Sequence, residues 1–287
     1  MNGILVINKH KGCTSHDIVY KIKKMCNEKV GHTGTLDPMA TGVLPLLIGK
    51  GTLCSKYLIN HDKIYKAKIQ LGIETDTLDV EGTIIDTKVV NDDILEEDNI
   101  RATLNSFLGK QEQIPPMYSA IKVNGKKLYQ YAREGKTLEI EPRKIEIYNI
   151  ELLNIDKENK QIEFKVECSK GTYIRSLCKD ISLKLGTIGH MIELQRIQVG
   201  DFNIKDSITL EEINADLSII QEHLINIEEL FKNNENITLD NKKLQLFLNG
   251  VQLNTNKEEG TYKIYNNNKF IGIGCIKDNK LKRDIIL

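Results

Sequence analysis

The segment from Gly31 to Pro45, GHTGTLDPMATGVLP, constrains the fold of this chain more than any other stretch. Its three glycines permit positive φ angles and close approach of backbone to a ligand, and its two prolines fix φ and remove hydrogen-bond donors. Asp37 lies in the middle, where Pro38 disfavours helical backbone angles at the residue before it. The segment therefore predicts a shaped loop that presents one carboxylate, as a nucleophile or a general base requires.

The residues alone leave a second interpretation of this loop open. Asp and Pro together often mark turns, so Asp37 could serve only to form a turn between two buried segments.

Metal and nucleotide motifs are not evident elsewhere. The six cysteines form no CxxC pair, and no Cys/His cluster has zinc spacing, so we assign no metal. GKGT at 49–52 lacks the spacing of a P-loop, and TDTLDVEG at 75–82 places its acids out of phase with a calcium loop. No nucleophile elbow is recognisable.

Length and composition predict an ordinary globular chain. With 287 residues, 40% hydrophobic and 28% charged, it is long enough for one large domain or two. The opening residues, MNGILVINK, are too short for a signal peptide, and no run approaches the ~18 apolar residues of a membrane span. We therefore expect a cytoplasmic protein without a membrane segment.

Charge is segregated along the chain although the net charge is zero. Residues 1–70 carry +7 and residues 241–287 carry +5, whereas residues 71–100 and 201–240 carry −9 and −8. Such segregation can create one basic face that follows a phosphate backbone, unless the blocks average out over the folded surface.

The hydrophobic pattern predicts many strands with interspersed helices. The first helix is expected to be capped by Ser15, with an apolar face of Ile18, Val19, Ile22, Met25 and Cys26. Further helices are predicted at 100–108, 127–133 and 173–185, and strands at 3–8, 43–48, 64–71, 83–90, 143–154, 161–169, 191–199, 261–265, 270–276 and 281–287. This pattern favours an α+β fold with a mixed, mainly antiparallel sheet and flanking helices, followed by a small β-rich module.

GHTGTLDPMATGVLP resembles the signature loop of the TruB-type pseudouridine synthases, which isomerise a uridine in the T loop of transfer RNA. The match extends over fifteen consecutive residues. The resemblance implies that Asp37 is the catalytic carboxylate, that no cofactor is needed, and that the partner is the tRNA T-stem-loop. It also implies a pseudouridine synthase-like catalytic domain at 1–205 with an RNA-gripping insertion at about 111–142. An acidic helical linker at 206–240 and a PUA-like module at 241–287 would follow.

Other site residues are implied by matching positions. Arg175, in SKGTYIRSL, corresponds to the family arginine that pairs with the catalytic aspartate, although alone it reads as a solvated arginine near a helix start. An adjacent guanidinium would lower the pKa of the carboxyl and fix its orientation. Tyr65 and Tyr173 correspond to active-site tyrosines and Leu194 to an apolar residue of the base pocket. On spacing alone, all three could be ordinary core residues.

His32 matches the family histidine that fills the gap left when the target base flips out, although it could simply be a loop histidine bonded to backbone. Lys9 matches a lysine at the floor of the active site, within an element that usually reads KPxGxTS. Here His10 replaces the proline, which could loosen the support of the Asp37 loop. Gln195 replaces a frequent arginine, so one phosphate or backbone contact is in doubt.

The insertion PPMYSAIKVNGKKLYQYAREG resembles the family segment that grips the T-stem-loop. Tyrosines alternate there with cations able to contact phosphates, namely Lys122, Lys126, Lys127 and Arg133. A charged loop with tyrosines can equally be a solvated excursion. We expect a monomer that needs no protein partner. Two other functions stay open at this stage: a non-catalytic RNA chaperone and the catalytic subunit of an RNA-guided particle.

Overall fold

The strands of the protein form one large sheet and three smaller ones. The computed structural model describes residues 1–287. In chain order the strands are β1 (Gly3–Lys9), β2 (Val30–His32), β3 (Thr41–Ile48), β4 (Lys63–Leu71), β5 (Ile73–Thr75), β6 (Ile84–Thr87), β7 (Gly109–Gln113), β8 (Lys122–Val123), β9 (Lys126–Lys127), β10 (Arg143–Asp156), β11 (Gln161–Cys168), β12 (Gly189–Val199), β13 (Phe202–Asn203), β14 (Asn236–Thr238), β15 (Leu253–Asn254), β16 (Gly260–Asn266), β17 (Lys269–Lys277) and β18 (Lys280–Ile286).

The helices are mostly short. In chain order they are α1 (Ser15–Cys26), α2 (Ser55–Leu58), α3 (Glu97–Asn105), α4 (Leu128–Arg133), α5 (Ile174–Lys184), α6 (Leu210–Ala215), α7 (Ile219–Glu222), α8 (Ile227–Leu230) and α9 (Asn241–Leu248), with 3₁₀ turns at Gly49–Cys54, Asp92–Leu95 and Ile204–Asp206. None of them has the length and apolar character required to cross a membrane.

The large sheet has nine strands in the order β1-β3-β12-β4-β11-β10-β7, with β2 beside β3 and β13 beside β12. All of its strand pairs are antiparallel except β12 with β3. This confirms the predicted α+β fold with a mixed, mainly antiparallel sheet. The sheet brings β3, β4 and β12, which lie far apart in sequence, side by side at its centre.

The central strand β4 alternates between a buried and a solvated face, as a sheet covered on one side requires. Tyr65, Ala67 and Ile69 are buried, whereas Lys66 is exposed. The apolar spacing looked irregular in the sequence because Tyr65, and not its neighbour Ile64, faces the core. The strand was predicted correctly.

Helix α1 begins one residue earlier than a Ser15 cap would require. Thr14 is the cap, because its hydroxyl accepts a hydrogen bond from the Asp17 amide at 3.1 Å while Asp17 closes a capping box. The prediction that Ser15 caps the helix is therefore wrong by one residue. Its hydroxyl bonds the backbone of Leu36 instead.

Several other elements differ from the predicted pattern, among them three near the middle of the chain. Helix α3 starts at Glu97, before its first buried apolar residue, since Glu97 and Asp98 are favourable at the positive end of a helix dipole. Strand β6 ends at Thr87, short of the predicted Val90. Strand β7 was not predicted, because its sequence GKQEQ contains no apolar residue.

The hydrophobic core lies between the large sheet and the helices α1, α3 and α5. A cluster of 37 buried residues includes inward-facing side chains of these helices and of the central strands. Side chains from the acidic stretch, including Ile208, Leu210 and Ile213, join the same cluster. Residues 206–240 therefore contribute to the packing of the sheet.

The C-terminal strands form a separate five-stranded sheet in the order β14-β16-β17-β18-β15. This sheet is consistent with the predicted β-rich, PUA-like module. Ile273 and Ile285 from it pack with Val6 and Val43 of the large sheet in a second cluster of 12 buried residues. The Tyr57 hydroxyl also donates to the Asp284 carboxylate across this contact.

Candidate active site

The loop between β2 and β3 is held by contacts from the first 15 residues of the chain. The Ser15 hydroxyl accepts from the Leu36 amide at 2.8 Å and donates to the Leu36 carbonyl at 3.1 Å. The Gly12 amide donates to the Pro38 carbonyl at 2.9 Å. Asp37 thus lies between two anchored neighbours, which gives the fixed presentation predicted from the sequence.

Arg175, at the start of α5, pairs with Asp37 in a two-point contact. Its Nε lies 3.0 Å from Asp37 Oδ2, and its Nη2 donates to Asp37 Oδ1 at 3.2 Å. The arginine side chain is 7% exposed, whereas the carboxylate retains 31%. Such a fork fixes the orientation of a carboxylate and leaves part of it open to a substrate.

The electrostatic effect on Asp37 differs in direction from the expectation. Burial raises the pKa of Asp37; the Arg175 guanidinium opposes this shift, and the nearby Asp79 charge adds to it. The predicted lowering by arginine is present, but desolvation of the carboxylate outweighs it.

Asp79 is a second carboxylate on the same guanidinium, and sequence analysis missed it. Its Oδ2 lies 3.4 Å from Arg175 Nη1, and its side chain is 5% exposed. The Thr77 hydroxyl donates to Asp79 Oδ1 at 2.6 Å. The sequence showed a loop crowded with acids but carried no signal for which acid faces inward.

The backbone beside Asp79 is strained. Leu78 has a φ of +63°, which costs a non-glycine residue about 1–2 kcal/mol. Thr77 precedes Leu78 and Asp79 follows it. With this backbone geometry the Thr77 carbonyl and the Asp79 carboxylate both face Arg175. Strain of this kind is typical of functional loops.

Three hydrogen bonds and two ion-pair contacts surround the Arg175 guanidinium. Nε and one Nη2 hydrogen face Asp37, the second Nη2 hydrogen faces the Tyr118 carbonyl at 3.0 Å, and Nη1 faces the Thr77 carbonyl at 3.1 Å and Asp79. Each nitrogen of the guanidinium thus lies against an oxygen of the protein, and this arrangement orients Asp37.

Tyr173 precedes α5 and is fixed by a residue that the sequence did not single out. The Gln113 side chain accepts from the Tyr173 amide at 2.8 Å and donates to its carbonyl at 3.0 Å. Burial raises the pKa of the Tyr173 hydroxyl. This clamp sets the entry of the chain into α5 and hence the position of Arg175.

Tyr65 and Leu194 lie on β4 and β12, and both are 8% exposed. They belong to the same buried cluster as Leu36 and Met39 of the Asp37 loop. Burial raises the pKa of the Tyr65 hydroxyl, and the nearby Arg196 opposes the shift. The structure thus places both residues in the hydrophobic core that the Asp37 loop also joins.

His32 lies on β2 and is partly buried. Its Nδ1 is buried without a hydrogen-bond partner. Burial lowers the pKa of His32, and the nearby Arg196 charge lowers it further. Both effects favour the neutral imidazole.

Lys9 contacts the backbone of the Asp37 loop from strand β1. Its ammonium is fully buried and donates to the carbonyls of Ala40 at 2.6 Å, His10 at 3.0 Å and Pro38 at 3.2 Å. The support from the N-terminal segment is therefore in place although His10 replaces a proline. This position favours a role in loop support, and a contact between Lys9 and a substrate stays a prediction.

The predicted insertion forms a hairpin of β8 and β9 followed by α4. Lys127 Nζ and Arg133 Cζ lie 5.5 and 5.3 Å from the centroid of the Tyr129 ring. Lys126 stacks 4.7 Å from the Tyr131 centroid and pairs with Glu134, whereas Lys122 is exposed and unpaired. The Tyr118 carbonyl connects this segment to Arg175.

No group of three or more His, Cys, Asp and Glu side chains has the arrangement of a metal site. Gln195, the other departure from the family pattern, lies on β12 opposite Thr41 and Lys66.

The fold and the paired Asp37 and Arg175 define a class of enzyme that comparison with known proteins identifies. Residues 22–174 match the family described as "TruB family pseudouridylate synthase (N terminal domain)". Residues 175–236 match "tRNA pseudouridylate synthase B C-terminal domain", and residues 236–283 match "Pseudouridine synthase II TruB, C-terminal". The chain belongs to the TruB family of pseudouridylate synthases.

Among individual proteins, the chain is 45% identical to tRNA pseudouridine synthase B of Clostridium kluyveri over 98% of both chains. It is 47% identical to the protein of that name from Clostridium tetani, over 96% of this chain and 95% of the relative. A solved Cbf5-Nop10-Gar1 complex contains a chain with a TM-score of 0.70 and 26% identity, covering 99% of this chain and 83% of that one.

Proposed function

We propose that this chain converts one uridine in the T loop of transfer RNA to pseudouridine. The observation that carries the proposal is the two-point pairing of Asp37 with Arg175 inside a loop of the TruB family. Relatives 45% and 47% identical over nearly the whole chain are named tRNA pseudouridine synthase B, which supports the same substrate class.

The reaction rearranges one nucleotide. The N1–C1′ bond of the uridine breaks, the freed base rotates, and a C5–C1′ bond forms while the proton of C5 is lost and N1 gains one. No atom is added and nothing is oxidised, so the chemistry requires no cofactor. Asp37 could attack C6 of the base, attack C1′, or assist elimination at the sugar, and each route needs its ionised form.

Arg175 acts on Asp37 and not on the RNA in this proposal. Its nitrogens lie against Asp37, Asp79 and two backbone carbonyls. The guanidinium stabilises the carboxylate that burial would otherwise neutralise, and it directs one oxygen toward the reacting nucleotide.

The flipped base is received by the side chains around the loop. Tyr65, Tyr173 and Leu194 would contact the base, because they are buried or half-buried in the packing around the Asp37 loop. His32, favoured in its neutral form, would fill the space that the nucleotide leaves. A neutral, unpartnered imidazole fits that role better than proton transfer by an imidazolium.

RNA binding is assigned to surfaces outside this pocket. Lys122, Lys126, Lys127 and Arg133 of the insertion would contact phosphates of the T stem, with the tyrosines stacking between them. We propose residues 1–205 as the catalytic unit, 206–240 as a linking region and 241–287 as an accessory module. The chain would act in the cytoplasm as a monomer without a protein partner.

Incubation with an unmodified T-stem-loop RNA tests this function. We expect conversion of one uridine to pseudouridine without added protein or guide RNA, detected by chemical mapping at constant RNA mass. An RNA carrying cytidine at the target position is the matched control. Absence of conversion, or conversion that depends on a guide RNA, would overturn the proposal. RNA refolding that persists without any conversion would favour a chaperone.

A further inference from the structure

Arg196 is the largest fully buried side chain of the protein. It lies on β12 and is 1% exposed. Its Nε donates to the Val43 carbonyl at 2.8 Å, and its Nη2 donates to the Gly34 carbonyl at 3.0 Å. It forms no ion pair with a carboxylate, so its charge is solvated by backbone carbonyl dipoles and not neutralised.

The two carbonyls bound by Arg196 lie on opposite sides of Asp37 in the chain. Gly34 precedes Asp37 and Val43 follows it, so one guanidinium joins both ends of the loop. The backbone of Arg196 also lies close to this loop. A Cβ atom at Gly42 would come within 2.2 Å of the Arg196 carbonyl oxygen, and Gly42 has a φ of +103°.

Arg196 also faces Tyr65. The two residues are cross-strand partners in the pairing of β12 with β4. One side chain therefore contacts the loop that presents Asp37 and lies beside the tyrosine placed against the base. The sequence departs from the family pattern at the neighbouring Gln195, and no local signal marks Arg196.

A buried charge without an opposite charge is unfavourable, and an apolar residue of similar volume would avoid that cost. The geometry of an arginine explains its presence here, because a planar fork reaches two acceptors at a fixed separation. A lysine in the same place could bond either carbonyl but could not fix the spacing between them.

We propose that Arg196 is a positioning residue, which holds the two ends of the Asp37 loop and Tyr65 in the relative geometry that the reaction needs. It acts through these groups and does not touch RNA. The proposal rests on the proposed function, since it concerns the efficiency of that reaction.

The test compares Arg196→Lys and Arg196→Met with Lys63→Met. Lys63 is a matched control because it is a buried cation on β4 that donates to a backbone carbonyl, that of His61, outside the loop. Single-turnover rate, RNA dissociation constant and thermal unfolding are measured for each variant on T-stem-loop RNA, well below its own melting temperature.

We expect both Arg196 variants to lose about 100-fold in single-turnover rate at saturating RNA, while the dissociation constant changes less than about threefold. Lys63→Met should lower the melting temperature and leave the rate within about twofold of wild type. A wild-type rate in Arg196→Lys would show that positive charge suffices and would overturn the positioning role.

Arg196→Gln, which can still donate to one carbonyl, is the second variant if the other two do not fold. We expect it to fold and to lose rate without losing RNA affinity. Failure of all three variants to fold would assign the guanidinium to stability and overturn the proposal. No conversion by the wild type would reject the proposed function instead.

Discussion

Arg175 and Asp37 face each other through two contacts, Nε to Oδ2 at 3.0 Å and Nη2 to Oδ1 at 3.2 Å, although 138 positions separate them in the chain. The guanidinium also donates to two backbone carbonyls and lies 3.4 Å from the Asp79 carboxylate. The carboxylate is therefore held from one side only, and its open side is available to a nucleotide.

Replacement of Asp37 by asparagine should abolish pseudouridine formation. The amide has the same shape but no charge, so we expect a loss of about 10⁴-fold or more in single-turnover rate. RNA affinity should change little, because the RNA contacts are assigned to other residues. A single-turnover rate of a tenth of the wild-type rate or more in Asp37→Asn would contradict the role assigned to this carboxylate.

Asp79→Asn should slow the reaction and change its pH dependence. Loss of one anchor frees Arg175 to shift, which we expect to lower the rate by about 10²-fold. The Asp79 charge raises the pKa of Asp37, so its removal should move the acidic limb of the rate profile to lower pH. A slower enzyme with an unchanged acidic limb would mean that the two carboxylates are not electrostatically coupled.

The wild-type rate should fall on acidification at a higher pH than an ordinary aspartate would give. Burial raises the pKa of Asp37 above its usual 3.8, and the reaction needs the ionised form. Single-turnover rates from about pH 3 to pH 8 would measure the midpoint. A midpoint at or below 3.8 would contradict the effect of burial.

Protonation of Asp37 should raise the stability of the folded protein while it lowers the reaction rate. A carboxyl whose pKa is higher in the folded than in the unfolded state binds protons more tightly when folded, so its contribution to stability grows as pH falls through the raised pKa. Asp37→Asn should remove this contribution. Urea unfolding of the wild type and of Asp37→Asn across that pH range would compare their free energies of unfolding.

Cations of the insertion should determine the salt dependence of RNA binding. Lys122 is exposed and unpaired, and its loss should reduce the slope of log affinity against log salt by about one. Lys157, which pairs with Glu96 at 2.8 Å, is the control and should leave the slope unchanged. Equal slopes for Lys122→Ala and the wild type would remove Lys122 from the RNA-binding surface.

Removal of either of two adjacent hydroxyls at the start of α1 should lower stability, but only one of the two removals should also slow the reaction. Thr14→Ala removes the helix cap and should cost about 1 kcal/mol in free energy of unfolding. Ser15→Ala leaves the buried Leu36 amide without its acceptor and should cost about 1–3 kcal/mol. Of the two variants, Ser15→Ala alone should also slow the reaction, because Ser15 bonds the Asp37 loop and Thr14 does not. A normal rate in Ser15→Ala would contradict that link.

The sequence by itself determined the Asp37 loop and the longer helices and strands. Glycines and prolines around Asp37 predicted a shaped loop, and period-two and helical patterns predicted most of the longer elements correctly, because these features depend on neighbours in sequence. The family pattern added Arg175 as the partner of Asp37. A strand such as β7, composed of polar residues and glycine, escaped prediction because it is stabilised by pairing with β10 and not by its own pattern.

Tertiary structure alone decided the surroundings of that pair. Asp79, Gln113 and the Tyr118 carbonyl are brought to Arg175 and its helix start from two segments distant in sequence. Arg196 reaches the loop because β12 lies between β3 and β4. The order of strands in a sheet depends on which buried faces fit together across the whole chain, and no local pattern of residues records that fit.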